Sequence, residues 1–588
     1  MDVAATFCAT LADEWARAGI TDAVVCPGSR STPMALALAG EARLRVHVFI
    51  DERSAAFFAL GVGLRTGVPA IVLTTSGTAA AELHPAVVEA HQAGVPLVAV
   101  TADRPPEAHG VGAPQTIDQS DLYGPALRWR AEPGVPDRTR STGWRSLAAR
   151  AVIEARGSGG RPGPVHLNLA FREPLVGEPG PLPDGRADGA PWHRATMVRR
   201  SAAAGGGAPG HDDPDDLDDL DALAGRLAGQ RGVIVAGAGS GRAAAVHRLA
   251  EQIGWPVLAD ARAPARVPAP ATVTTFDALL RHRGFATRGR PEVVLRLGAP
   301  PASRVLGAWL AASGAEQVAV ESHGRWLDPD RTLHRLVVAE PDALCADLAD
   351  RKPATAPDDW PALWSAAQAA AQEAIAVTLA GHDEATEPGV ARDLLGCLAP
   401  GTAVVLASSM PVRDVEWFAA AQPGLCVMAN RGANGIDGTV STILGVAAAG
   451  RTGPSPTGTV GLVGDLAFLH DAGALVGAAD RGLDAVVVVI DNGGGGIFSF
   501  LPQAAHLPPA RFEQLFGTPH TVDLAALARL HALPVAEVDR AAGLVPAVTE
   551  ARRTGGTAVV VVRTDRRANV AVHEELQAAV AAAVDAVA

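Results

Sequence analysis

Asp465 and Asn492 are the two side chains of this 588-residue chain whose types and spacing point most directly to chemistry. Asp465 ends the run TVGLVGD (459–465), and Asn492 stands in VVVVIDNGGGG (486–496). They lie roughly 27 residues apart, about one βαβ unit, with a helical pattern over Ala467–Ala479 between them. In a parallel sheet both would emerge at strand carboxyl ends, where α/β folds bind ligands. A carboxylate, an amide oxygen and a loop carbonyl make a hard-oxygen set suited to Mg²⁺, which keeps open positions for a diphosphate. The run Gly493–Gly496 lets backbone approach phosphate closely.

Glu52 is a second candidate. It follows the strand-like run VHVFI (46–50) and opens a helix rich in small residues. Taken alone, an acid in that place is a helix cap or a surface ion pair. Five arginines share a related setting at loop starts or Gly/Pro turns: Arg30, Arg104, Arg304, Arg413 and Arg431. One such arginine is a surface charge; five are the makings of a polyanion pocket. VIVAGAGSGR (233–242), with Asp260 some 20 residues on, competes as a dinucleotide fingerprint, although its third glycine falls one place short. His84 and His91 lack metal-ligand spacing and carry no assignment.

The elements that must position these residues alternate strand and helix throughout. Strand-like runs are DAVVC, VHVFI, PAIVLTT, PLVAVT and VHLNL in residues 1–180. In 216–350 they are GVIVAGAG, PVLAD, VVLRLG, QVAVES and RLVVAE; in 362–588 they are AVVLAS, TVGLVGD, AVVVVID and TAVVVVRT. The pattern predicts three α/β domains, each a doubly wound parallel sheet, the central one Rossmann-like. Linkers are expected at 181–215 and 351–361, where Pro, Gly and Asp accumulate. The acidic run 211–223 reads as the solvated front of a helix.

Composition excludes several classes. A net charge of −13 argues against nonspecific nucleic-acid binding, so an anionic substrate needs arginines focused locally. Hydrophobic residues make up 48% and charged residues 19%, with no apolar run longer than a strand, so no membrane span is expected. Cys8, Cys26, Cys345, Cys397 and Cys426 have no paired or metal-ligand spacing, as expected of free thiols in a reducing cytoplasm.

Eight segments occur in the order that marks one family: CPGSRSTP (26–33), DERSAAFFALG (51–61), TTSGTAAAELHPAVVEA (74–90), TADRPPE (101–107), QTIDQ (115–119), NRGANGIDGTVST (430–442), GDLAFLHD (464–471) and GGIFSFLP (495–502). In these the chain resembles the 2-succinyl-5-enolpyruvyl-6-hydroxy-3-cyclohexene-1-carboxylate synthases, thiamine-diphosphate enzymes of menaquinone biosynthesis. The resemblance spans both terminal domains and is thin in the central one, where the Arg304 region carries it. It implies a thiamine-diphosphate-binding fold, with pyrimidine held by the first domain and diphosphate and metal by the third. It also implies a site shared between chains of a homodimer or dimer-based tetramer.

By the same resemblance Glu52 meets pyrimidine N1′, and Asp465, Asn492 and the Gly494 carbonyl ligate Mg²⁺ or Mn²⁺. Ile436 props the bent coenzyme, Ile497 and Phe498 wall the thiazolium, and Ser409 lies at the coenzyme. Arg413 and Ile497 face 2-oxoglutarate. Arg30, Arg104, Gln115 and Arg304 face isochorismate, with Ser29, Ser31 and Arg431 as further contacts. Glu52, Arg30, Gln115 and Arg413 are the implied catalytic set. The chain departs from related patterns at Leu466, Pro114, Asp491 and Gly496. The nearest alternative activity is an acetolactate-synthase-like carboligase.

Overall fold

The computed structural model describes residues 2–158, 160–196, 218–451 and 458–587. The front of the acidic run, 211–217, lies outside them; its end enters the helix Asp218–Leu227.

Three six-stranded sheets follow one another, and every paired strand in them is parallel. The first contains β1 (Asp22–Val25), β2 (Arg45–Val48), β3 (Ala70–Thr74), β4 (Leu97–Asp103), β5 (Trp129–Ala131) and β6 (Pro164–Ala170). The second contains β7 (Gly232–Ala236), β8 (Val257–Ala259), β9 (Thr272–Val273), β10 (Val293–Leu297), β11 (Glu316–Val320) and β12 (Arg335–Val337). The third contains β13 (Ala403–Leu406), β14 (Cys426–Met428), β15 (Thr459–Gly464), β16 (Ala485–Asp491), β17 (Val535–Val538) and β18 (Thr557–Arg563).

The first sheet runs β2-β1-β3-β4-β6-β5 and the third β14-β13-β15-β16-β18-β17, the same order twice. The second runs β12-β11-β10-β7-β8-β9, the order of dinucleotide-binding sheets. Four strands have no counterpart among the sequence runs: β5, β9, β14 and β17. They are edge strands or two to four residues long, too short to alternate visibly.

The central sheet does not keep a free phosphate turn. Asp342 accepts from the Arg242 backbone N–H and, at 2.7 Å, from Arg242 Nε. Asp260, fully buried, is paired with Arg262 at 2.6 Å. The groups a dinucleotide would need are thus taken by the chain itself. The helix Asp359–Ala380 begins inside the segment expected as a linker. It packs Trp360 and Trp364 into the central core, which also receives Leu576 and Val580 from the C-terminal helix.

The first and third sheets share a core built on two crossing helices, Glu52–Thr66 and Thr439–Gly450. Their backbones touch. A Cβ on Gly61 would lie 2.4 Å from the Thr442 carbonyl oxygen, and one on Gly445 would lie 2.0 Å from that of Phe58. Any larger residue at either place would push apart the elements carrying Glu52 and the loop 430–438.

Asp471 ties the same two helices together. It accepts from Ser441 N (2.7 Å), Ser441 Oγ (3.0 Å) and Ser54 Oγ (3.2 Å). Burial pushes its pKa up to about 6, with the serine hydrogen bonds pulling the other way. The folded chain therefore holds this proton more tightly than the unfolded chain does. Stability falls as pH rises from the ordinary 3.8 to about 6 and is level above that. Asp471→Asn removes the titration, so its melting temperature relative to the parent rises across that window alone. Melting curves that stay parallel from pH 4 to 7 would contradict this.

Candidate active site

Strands β15 and β16 are neighbours, with Gly464 opposite Ile490, so their carboxyl ends are adjacent. Asp465 opens the helix Asp465–His470 directly after β15, and Asn492 follows β16. That helix is shorter than the expected Ala467–Ala479: it stops at His470 and continues as a 3₁₀ turn over Ala472–Leu475. Asp471 lies between the two, its side chain committed to Ser54 and Ser441.

Asp465 is 2% exposed. Its Oδ2 accepts from Gly494 N at 2.8 Å, and Asn492 Oδ1 accepts from the same N–H at 3.2 Å. Its Oδ1 accepts from Leu466 N at 2.6 Å, a backbone contact indifferent to the Leu side chain. Gly494 has φ +145°, and a Cβ there would lie 2.2 Å from the Gly517 carbonyl oxygen, so no other residue fits. The Gly494 N–H, rather than its carbonyl, faces the two oxygens; the carbonyl accepts from Gly496 N.

Burial raises the Asp465 pKa, opposed by the Gly494 and Leu466 amides and by His520. His520 Nε2 stands 3.2 Å from Asp465 Oδ2, and Asp465, Asp491 and His520 can offer ligand atoms within 4.8 Å of one another. Two converging side-chain oxygens at strand ends, beside a glycine loop, fit a hard divalent cation carrying a diphosphate.

Glu52 begins the helix Glu52–Thr66, which Asp51 caps by accepting from Ser54 N at 3.0 Å. Burial raises the Glu52 pKa, and the charges of Asp51 and Glu82 add to the rise. All three acids belong to the first domain. Beside Glu52, Arg53 donates to the His470 carbonyl at 2.8 Å, so this helix start rests on the far end of the helix that Asp465 opens.

The arginines form two sets. Arg30 is 8% exposed and donates to the Phe171 carbonyl at 2.9 Å. Burial lowers its pKa, and the Arg104 charge lowers it further. Arg413 is half-buried on the helix Met410–Phe418 and donates to the Ser409 carbonyl at 2.5 Å. Burial lowers its pKa; Glu416 opposes this and Arg304 reinforces it. Burial holds Arg431 down to about 10, with Arg262 and Arg413 adding repulsion. Arg304, Arg413 and Arg431 thus converge where the second and third domains meet, while Arg30 and Arg104 pair in the first. The Nε atoms of Arg30, Arg104 and Arg431 are buried without a partner. A buried guanidinium N–H without a partner is what a bound anion would satisfy.

Two further candidates are held in the left-handed backbone region that non-glycine residues avoid: Gln115 (φ +54°) and Ser409 (φ +74°). Gln115 donates from Nε2 to the Ser76 carbonyl and receives Ser76 Oγ on its own carbonyl, both at 2.9 Å. Ser29 is exposed, whereas Ser31 is buried and donates to the Gly28 carbonyl. Ile436 lies half-buried in the loop between β14 and the helix Thr439–Gly450, beside a cleft of about 550 Å³ lined by Phe57, Glu82, His84, Glu89 and Asp437. Ile497 and Phe498 lie half-buried on the 3₁₀ turn Gly496–Phe500, with the Phe498 ring 5.6 Å from that of Phe516.

Several buried groups around the site were not singled out from their spacing. Glu89, from the first domain, accepts from Gly432 N (2.7 Å) and Ala433 N (2.6 Å), holding the loop that carries Arg431. Asp414 pairs with His573 at 2.8 Å behind Arg413. Glu416 accepts from Ala302 N at 3.0 Å, and Glu387 accepts from Asn492 Nδ2 at 2.7 Å. An acid inside a helical pattern carries no mark of burial, so only packing reveals these.

Three family models match the chain in succession. They are the thiamine pyrophosphate enzyme N-terminal TPP binding domain (residues 5–122), the middle domain of thiamine pyrophosphate (220–403) and the thiamine pyrophosphate enzyme C-terminal TPP binding domain (417–562). A 2-succinyl-5-enolpyruvyl-6-hydroxy-3-cyclohexene-1-carboxylate synthase from Myxococcus xanthus is 42% identical over 98% of this chain and 97% of its own. The chain belongs to that synthase family. The synthase from Geobacillus kaustophilus is 40% identical over 98% of this chain and 97% of its own. That from Chloroflexus aurantiacus is 41% identical over 97% and 95%. Each matched segment falls on one of the three parallel sheets, leaving β5, β6 and most of β13 outside, so the chain is a thiamine-diphosphate enzyme in sequence and in fold.

Proposed function

We propose that the protein decarboxylates 2-oxoglutarate and joins the four-carbon remnant to isochorismate, giving 2-succinyl-5-enolpyruvyl-6-hydroxy-3-cyclohexene-1-carboxylate. The observation that carries this reading is the meeting of Asp465, Asn492 and the Gly494 loop at two adjacent strand ends, in a member of this synthase family. Asp465 and Asn492 would hold Mg²⁺ or Mn²⁺, both of which accept oxygen donors. Thiamine diphosphate, when bound, supplies the electron sink for loss of CO₂.

The remaining work falls to this chain's own groups. Glu52, its pKa raised by burial, would hold and pass a proton at pyrimidine N1′. Ile436, Ile497 and Phe498 would exclude water beside the reacting carbon. Ser409 would orient the loop next to Arg413, which would pair with a 2-oxoglutarate carboxylate. Arg30, Arg104, Gln115, Arg304 and Arg431 would take the carboxylates and hydroxyl of isochorismate, with Ser29 and Ser31 at the rim.

In this reading the site is shared between two chains, which would bring the two arginine sets to one substrate. The apolar residues just before Glu52 support such an assembly: Val48 and Ile50 are 56% and 70% exposed. A homodimer, or a dimer-based tetramer, would cover them. Free thiols at all five cysteines fit a reducing cytoplasm. Among the described residues no helix is long and apolar enough to cross a membrane.

Product analysis tests the reading. Isochorismate, 2-oxoglutarate, thiamine diphosphate and Mg²⁺ are each omitted in turn, and the adduct is expected only from the complete mixture. Equal turnover with pyruvate in place of 2-oxoglutarate would favour an acetolactate-type carboligase instead.

A further inference from the structure

Glu387 is a buried acid that the roles above leave unused, 1% exposed at the start of the helix Glu387–Gly396. Its Oε1 accepts from Asn492 Nδ2 at 2.7 Å. The charges of Asp414, Asp465 and His573 all act on it. An acid buried beside two others is costly, so packing alone is a poor reason for it.

The contact has a directional consequence. An asparagine amide has two unlike ends, and only its oxygen can ligate a cation. An acceptor at 2.7 Å fixes the nitrogen end. It thereby turns Oδ1 the other way, to the Gly494 N–H that Asp465 Oδ2 also engages. A freely turning amide would offer its N–H groups to the cation in part of its population. Gly496 provides the room: a Cβ there would lie 2.7 Å from Asn492 Nδ2 and 3.8 Å from Glu387 Oε1. A larger residue at this position would crowd the Asn492 amide and the Glu387 contact.

We propose that Glu387 is a positioning residue for the divalent cation, acting through Asn492, whose amide oxygen it turns toward Asp465. This rests on the metal reading above. Mn²⁺ binding to the full chain at saturating thiamine diphosphate is followed by loss of the free-ion EPR signal, and folding by circular dichroism. Glu387→Leu is expected to weaken Mn²⁺ binding about 10–100-fold, the usual cost of losing a group that orients a ligand. Glu387→Gln keeps an acceptor oxygen at the same reach and stays within about threefold of the parent.

Parental Mn²⁺ affinity in Glu387→Leu, or an equal loss in Glu387→Gln and Glu387→Leu, would overturn the inference. If Glu387→Leu does not fold, Glu387→Ala takes its place: a loss of about tenfold or more upholds the role and parental affinity removes it. A parent chain without Mn²⁺ affinity would instead overturn the metal reading, and this inference with it.

Discussion

Glu52→Gln lowers turnover by about 10²–10⁴-fold, the usual contribution of a positioned acid–base group, with melting temperature and coenzyme affinity close to the parent. The amide has the shape of the carboxyl but cannot exchange a proton at N1′. The surroundings are already set for the acid: burial raises its pKa, and Asp51 and Glu82 add repulsion. The substitution removes charge from an acidic neighbourhood, so no folding penalty is expected. The decisive measurements are steady-state turnover and the rate of deuterium exchange at the coenzyme's C2, since both depend on that proton. Parental values in the variant would remove Glu52 from the mechanism.

Arg413→Ala raises the KM for 2-oxoglutarate about 10–100-fold and that for isochorismate far less, because a hydrogen-bonded charge pair is worth about 1.5–3 kcal/mol. The asymmetry follows from its place. Arg413 stands one helical turn from Ser409, whose strained backbone fixes the helix start. Arg304 lowers its pKa by repulsion and Arg431 feels its charge in turn, and in the proposed reading both remain for isochorismate when Arg413 is lost. Initial-rate kinetics with each substrate varied at saturation of the other measure the split. Equal rises in both KM values would undo the assignment of Arg413 to 2-oxoglutarate.

Some of this protein is decided by local sequence. The long inner strands are runs of β-branched residues bounded by turn residues, so β15, β16 and β18 were legible, and with them three parallel α/β domains. The places of Asp465 and Asn492 were legible for the same reason: each stands just after such a run, and the ends of parallel strands are where ligands bind. Glu52 follows β2, a shorter edge strand, at the start of a helix. The arginines were legible as types at loop starts.

Other features exist only once the chain is folded. That Arg304, Arg413 and Arg431 converge, and that Arg30 and Arg104 form a separate pair, depends on how the domains pack. The short edge strands β5, β9, β14 and β17 draw their structure from neighbours rather than from their own pattern. The helix Asp359–Ala380 begins in a segment that reads as a linker, yet Trp360 and Trp364 lock it to the central core. Glu387, Glu89, Asp471 and the Asp414–His573 pair are acids and a histidine whose spacing along the chain gives no sign of a partner. Their partners lie between 30 and 417 positions away in the chain. Periodicity and spacing report which face of an element is apolar; they do not report which polar group a distant element brings to meet it.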